Sequence, residues 1–226
     1  MISYKEYFGD WVNVININIL NSILKKLDLE YLHKTICPDK LNVFKAFKLC
    51  NYKDCKVIMI GCDPYPQKGV ATGILFGNKK ETENISPSLQ VIKDAVIDIR
   101  SNYNNVHFDL TLESWAKQGI LMLNSALTVE MNKIGSHIML WRPFIAEFLK
   151  SMSLNSTGII YVLFGEQAKT FKPYINNKFN FILEEYHPSY YVRIKKDMPA
   201  TIFNEINKLV KGKYNQEIIW YHEYNV

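Results

Sequence analysis

A carboxylate, a phenol, an amide and an imidazole stand at comparable places along this 226-residue chain, each just beyond a short apolar run. Asp63 and Tyr65 lie in Gly61-Cys62-Asp63-Pro64-Tyr65-Pro66, Asn124 opens Asn124-Ser125, and His187 opens His187-Pro188-Ser189. A further run ends in Gly165-Glu166-Gln167. A carboxylate can hold positive charge, an amide donates and accepts hydrogen bonds at once, and an imidazole does either near neutral pH. Taken singly, each has an ordinary role. Asp63-Pro64 reads as a turn, Asn124 as a strand end, Phe76 as core and His187 as a satisfied structural histidine, the same reading that His33, His107, His137 and His222 carry. It is their joint occurrence after consecutive runs that predicts a site.

The runs that must position them occupy residues 57–60, 120–123, 159–164 and 179–183. They are too short for helices and rich in β-branched residues, as buried strands are. Between them, apolar residues recur at helical spacing over 15–27, 87–99, 141–152 and 199–211. Ser86-Pro87 opens the second of these as a cap followed by a first-turn proline. Continuous apolar strands alternating with helices predict an α/β fold, three layers α/β/α around a central four-stranded parallel sheet. No repeat or low-complexity linker interrupts residues 1–226, which read as a single domain. In such sheets the binding crevice lies beyond the carboxyl ends of the strands, where Asp63, Asn124 and His187 would meet.

Composition narrows the class. With 48% hydrophobic residues and a net charge of +5, the chain is expected to fold rather than stay disordered. No stretch of 18 apolar residues predicts a membrane span, and Met1 to Glu6 lack the basic-then-apolar order of a signal peptide, so a cytoplasmic location is expected. Cys37, Cys50, Cys55 and Cys62 form no Cys-x-x-Cys pair and read as free thiols rather than metal ligands. The chain holds 26 Ile, 24 Lys, 21 Asn and 14 Tyr against three Arg, so a lone Asn or Lys carries little meaning. The mild basicity permits a polyanionic partner without requiring one.

Five segments together resemble the family 1 uracil-DNA glycosylases. Gly61-x-Asp63-Pro64-Tyr65, followed by Gly73 and Phe76, is similar to that family's water-activating loop. Trp115-Ala116-x-Gln118-Gly119-Ile120-Leu121-x-Leu123-Asn124, with Leu127-Thr128-Val129 behind it, resembles its uracil-binding strand. Ser86-Pro87-Ser88-Leu89 is similar to its proline-rich phosphate loop, His187-Pro188-Ser189 to its intercalation loop, and Gly135-Ser136-His137 to a further segment. The segments follow family order from about residue 55 to about residue 210.

The resemblance implies a hydrolase that rotates uracil out of the DNA stack and cleaves its glycosidic bond, with no metal and no cofactor. Asp63 and His187 would be catalytic, the first stabilising the cationic sugar and orienting water, the second donating to uracil O2. Phe76 would stack on the base, Asn124 would read O4 and N3–H, Tyr65 would exclude a thymine methyl, and Cys62 would contact the substrate through its backbone. Ser86, Ser88, Ser189, Tyr191 and Arg193 would bind DNA, single- or double-stranded, with Lys195 and Lys196 adding charge. A monomer is expected, and a proteinaceous glycosylase inhibitor is a further expected partner.

Five positions depart from the family pattern. Cys62 replaces Gln, Glu166 replaces a phosphate-contacting Ser, and Tyr190 and Tyr191 replace Pro and the inserted Leu. Pro66 replaces His and resembles the poxvirus branch, which also serves polymerase processivity. The alternative expectation is therefore a catalytically weakened glycosylase fold acting as a DNA clamp or replication partner; a more distant one is another damaged base as substrate.

Overall fold

The computed structural model describes residues 4–80, 84–97 and 106–223. Four parallel strands form its centre: β1 (Val57–Gly61), β2 (Ile120–Asn124), β3 (Ile160–Phe164) and β4 (Phe181–Glu185), in the spatial order β2-β1-β3-β4. Every residue of β1, β2 and β3 is buried, which is why these strands read as unbroken apolar runs. Their side chains alternate between two cores. Ile58, Ile60, Leu121, Leu123, Tyr161 and Leu163 face one, while Val57, Met59, Ile120, Met122, Ile160 and Val162 face the other.

Helices cover both faces. On the first lie α1 (Ile17–Tyr31) and α3 (Ile138–Asn155), contributing Leu20, Ile23, Leu27, Trp141, Phe144 and Phe148. On the second lie α2 (Pro87–Val96) and α5 (Thr201–Tyr214), contributing Leu89, Ile92, Phe203 and Ile206. This is the three-layer α/β/α arrangement that the sequence predicts. The crossover from β1 to β2 carries α2 and that from β2 to β3 carries α3, so the chain winds over opposite faces from β1. Such a switch point opens a crevice at the strands' carboxyl ends.

The register makes those ends nearly flush. Gly61 lies opposite Asn124, Ile60 opposite Leu163, and Phe164 opposite Glu185. The loops leaving β1, β2, β3 and β4 therefore emerge along one rim.

Element boundaries depart from the sequence reading where tertiary contacts decide them. α1 begins after Asn16, whose side chain accepts from the amides of Asn18 and Ile19, and runs on to Tyr31. α2 ends at Val96; Ile99, the last periodic residue of the predicted helix, lies outside the described residues. The fourth strand is shifted two residues along from the predicted 179–183. It is a half-exposed sheet edge, so it lacks the continuous apolar run that marks the other three. No helix among the described residues is long and apolar enough to cross a membrane.

Candidate active site

β1 delivers the first group. An added Cβ at Gly61 would lie 2.2 Å from Leu75 Cδ1 and 3.1 Å from Asn124 Oδ1, so a residue without a side chain lets β1 and β2 close at this rim. The Cys62 carbonyl then accepts from the Ser125 hydroxyl at 2.7 Å and the Ala126 amide at 3.1 Å, tying the two exit loops together. Its thiol is pushed up to about 12, by burial and then by neighbouring Asp63, and stays protonated. The Asp63 carboxylate accepts from the Gly135 amide at 2.6 Å. That bond fixes one oxygen and orients the other.

Tyr65 follows one residue beyond Pro64. Its hydroxyl lies 2.6 Å from Ser86 Oγ and 3.3 Å from the Phe76 carbonyl, and it donates its one proton between the two acceptors. Ser86 Oγ in turn donates to Asn78 Oδ1 at 2.9 Å. Burial raises the Tyr65 phenol to about 12, so the ring is neutral and pinned. Phe76 itself has φ of +64°, a left-handed conformation rarely adopted by a bulky residue. Strain of this kind costs about 1–3 kcal/mol and concentrates at functional sites. Its ring meets Phe164 and the His187 imidazole edge-on, each at 5.4 Å between centroids.

Asn124 ends β2 with only 8% of its surface exposed, and its Oδ1 has no hydrogen-bond partner. A buried amide oxygen left unpaired carries a penalty of about 1–3 kcal/mol until a donor reaches it. His187 stands at the N-terminus of α4 (Pro188–Ile194), and its Nδ1 accepts from the Ser189 amide. Burial lowers its pKa below the ordinary 6.5, with Asp63 opposing that shift in part, so the ring is neutral at pH 7. Gly165, with φ of +82°, makes this placement possible: a Cβ there would lie 2.8 Å from His187 Cβ.

Asp63, Tyr65, Phe76, Ser88, Asn124 and His187 line one cavity of about 30 Å³. It has room for one or two waters, so a planar ring enters only as its walls part. Broader grooves lie elsewhere, one of about 730 Å³ along Tyr7, Trp11, Lys48 and Tyr52, but they gather none of these groups. Among the described residues, a carboxylate, an unpaired amide, a neutral imidazole and two aromatic rings converge in the small one.

The sequence profile described as the Uracil DNA glycosylase superfamily matches residues 47–211, nearly three quarters of the chain and the whole span from β1 to most of α5. The chain belongs to that superfamily. A uracil-DNA glycosylase of Mycoplasmopsis pulmonis is 37% identical over 196 residues, covering 86% of either chain, and one of Fusobacterium nucleatum is 31% identical over 217 residues, covering 94% and 95%. Among solved structures, mimivirus uracil-DNA glycosylase superposes with a TM-score of 0.73 at 22% identity, covering 97% of this chain and 94% of the other. A mimivirus UNG variant in complex with UGI superposes with 0.78, again at 22% identity. These structural likenesses speak for the uracil-DNA glycosylase fold.

Two residues expected on the glycosylase's DNA face are placed otherwise. Tyr191 is buried, packed in the second core, and its hydroxyl donates to Glu185 Oε1 at 2.9 Å. It shares the inner side of α4 with Pro188, three residues earlier, so it does not project as an inserted wedge. Ser86 is 9% exposed and its hydroxyl is spent on Tyr65 and Asn78, so it braces the pocket wall rather than meeting a phosphate. Ser189, Arg193, Lys195 and Lys196 are exposed as expected, while Ser88 lies in the cavity wall. Glu166 is exposed and paired with Lys169 at 2.9 Å, which offsets its charge locally. The Pro66 carbonyl accepts from the Asn132 amide.

His137 has its structural role: Nδ1 lies 2.8 Å from Thr128 Oγ1, and Nε2 lies 3.2 Å from Glu30 Oε2. Sequence reasoning missed three supports of the site, namely the Gly135 amide, Gly165 and Asn78. Gly135 stood in a matched segment without a role, and Gly165 stood as the end of a run; for Asn78 there was no local signal.

Proposed function

We propose that this chain is a monofunctional uracil-DNA glycosylase, which hydrolyses the bond between uracil and deoxyribose in DNA to give free uracil and an abasic site. The observation that carries this reading is the buried, unpaired Asn124 Oδ1 in one cavity with a neutral His187. Asn124 accepts from uracil N3–H and donates to O4. Cytosine reverses both and leaves buried groups unpaired, the mismatch that discriminates most strongly. Tyr65 stands against C5, where a methyl would strike the ring, and Phe76 gives the base a flat apolar face.

In the reaction, the C1′–N1 bond breaks and both its electrons leave with uracil. His187 donates from Nε2 to O2, where the negative charge of the departing base grows. Asp63 stabilises the cationic sugar and orients a water, whose oxygen bonds to C1′. The proton released from that water passes through Asp63 to solvent or the departing base. Uracil is acidic enough to leave as an anion, so this scheme does without the second carboxylic acid of the paired-carboxylate glycosidases. Ser88 and Arg193 hold the flanking phosphates, and Ser189 joins them once its hydroxyl turns from His187 Nδ1.

Two cores sharing one sheet support reading residues 1–226 as a single domain. Four free cysteines and a DNA substrate support a cytoplasmic location. The mimivirus UNG variant of like fold is seen with UGI, which supports a proteinaceous inhibitor as a partner. The enzyme names of the curated relatives favour catalysis over a DNA clamp. The test is release of free uracil from a uracil-containing oligonucleotide in EDTA. Tight DNA binding with no turnover would overturn the proposal.

A further inference from the structure

Beside the catalytic pocket, four side chains form a column on the surface. Tyr186 and Tyr190 stack nearly parallel, with ring centroids 4.5 Å apart and planes inclined by 20°. The Lys169 ammonium lies over the Tyr186 ring at 5.1 Å, and the Arg193 guanidinium over the Tyr190 ring at 5.6 Å. Tyr191, edge-on to both rings at 5.5–6.4 Å, holds the pair from below through its buried position. Tyr186 is 51% exposed, a large aromatic surface to leave in water. It directly precedes His187, and Tyr190 directly follows Ser189.

We propose that Tyr186 and Tyr190 form a stacking platform for an unpaired DNA base next to the extruded nucleotide, an inference that rests on the glycosylase reading. A strand that delivers a base to His187 must pass over the residues on either side of it. Aromatic faces flanked by cations match such a strand: its bases offer π-faces to the rings, and its phosphates offer charge to Lys169 and Arg193. Both cations end long side chains that can turn from ring to phosphate, at which point Lys169 exchanges its Glu166 partner for DNA. The ligand is single-stranded or locally opened DNA, since a paired and stacked base has no free face. Stacking is indifferent to base identity, so the platform adds affinity without sequence preference.

Anisotropy of labelled, uracil-free DNA tests this, run beside uracil release by the same preparations. Tyr186→Ala and Tyr190→Ala are each expected to raise Kd for single-stranded DNA about 10-fold, within the range that one lost base stack accounts for. The duplex is expected to lose less, and the salt dependence to keep its slope, because no charge is removed. Arg193→Met is expected to do the opposite, lowering the magnitude of that slope by about 0.7 on single strands. Tyr186→Phe and Tyr190→Phe keep the rings and are expected to bind as the parent does, which separates stacking from loss of fold. Unchanged single-strand affinity in both alanine variants, or equal loss on duplex and single strand, would overturn the platform. If the parent protein releases no uracil at all, it is the glycosylase reading that fails instead.

Discussion

The imidazole of His187 is held by Ser189, two residues on: its Nδ1 accepts from the Ser189 amide at 3.2 Å and lies 2.8 Å from the Ser189 hydroxyl. An amide N–H can only donate, so this nitrogen carries no proton, and the neutral ring keeps its single proton on Nε2. Burial reinforces the choice by lowering the pKa. A neutral ring with a fixed tautomer is a donor prepared before the base arrives. In the proposed reaction it meets growing charge without reorganisation, which is how preorganised donors act on a transition state.

The pH profile follows from the sign of that shift. A depressed folded-state pKa means that the neutral ring's contribution is present in full above the ordinary value of 6.5 and is lost as pH falls through the lower folded value. kcat/KM is expected to be level near pH 7 and to fall on the acid side, as protonation of Nδ1 breaks the Ser189 bond. His187→Ala is expected to cost about 10²–10³-fold in kcat and to shift that acid limb. A limb unchanged in the variant would assign the titration elsewhere.

Asn124→Asp tests the reader of the base. Buried as Asn124 is, a carboxyl there is held protonated, with one oxygen accepting and one hydroxyl donating in either order. Cytosine then finds a complementary partner. Uracil release is expected to fall and cytosine release to appear, both measured by chromatography of the freed bases. No gain on cytosine would remove Asn124 from that role.

The ring of Tyr65 and its hydroxyl do separable work. Tyr65→Ala opens the space facing C5, and thymine release is expected to appear. Tyr65→Phe keeps the ring but drops the bonds to Ser86 and the Phe76 carbonyl. It is expected to go on excluding thymine while losing about 0.5–1.5 kcal/mol of stability for each net hydrogen bond lost, read from urea unfolding. Thymine release by the Phe variant would show that the bracing, not the ring, sets the exclusion.

What the sequence discloses is what local pattern controls. Three strands were legible because both their faces are buried; β4 was misplaced by two residues because a half-exposed strand needs no such run. Asp63, Asn124 and His187 were legible because parallel strands must end on one rim. The orientation of Tyr191 was not, because it depends on α4 turning its 188 and 191 positions inward, and Pro-Ser-Tyr-Tyr-Val-Arg has no apolar rhythm to announce it. Ser86 stood at a helix N-cap, where its hydroxyl is expected to serve its own helix; it instead bonds Tyr65, 21 residues away. Such long-range choices are made by tertiary packing and leave no trace in spacing.

Gly165 offers the sharpest separation of fold from chemistry. Its φ of +82° penalises any side chain, and an added Cβ would press on His187 Cβ at 2.8 Å. Gly9 shares the first property without the second: its φ is +58°, and an added Cβ meets nothing within 4 Å. Both Gly165→Ala and Gly9→Ala are therefore expected to lose about 1–2 kcal/mol from the left-handed backbone alone. Only Gly165→Ala should also displace the imidazole, lowering kcat by at least 10-fold, since small misplacements of a reacting group cost up to about 10². Urea unfolding and uracil release, measured on the same two variants, check the pair. Equal kcat in both would mean that His187 can yield to the methyl without loss, and that its position is less exacting than the geometry requires.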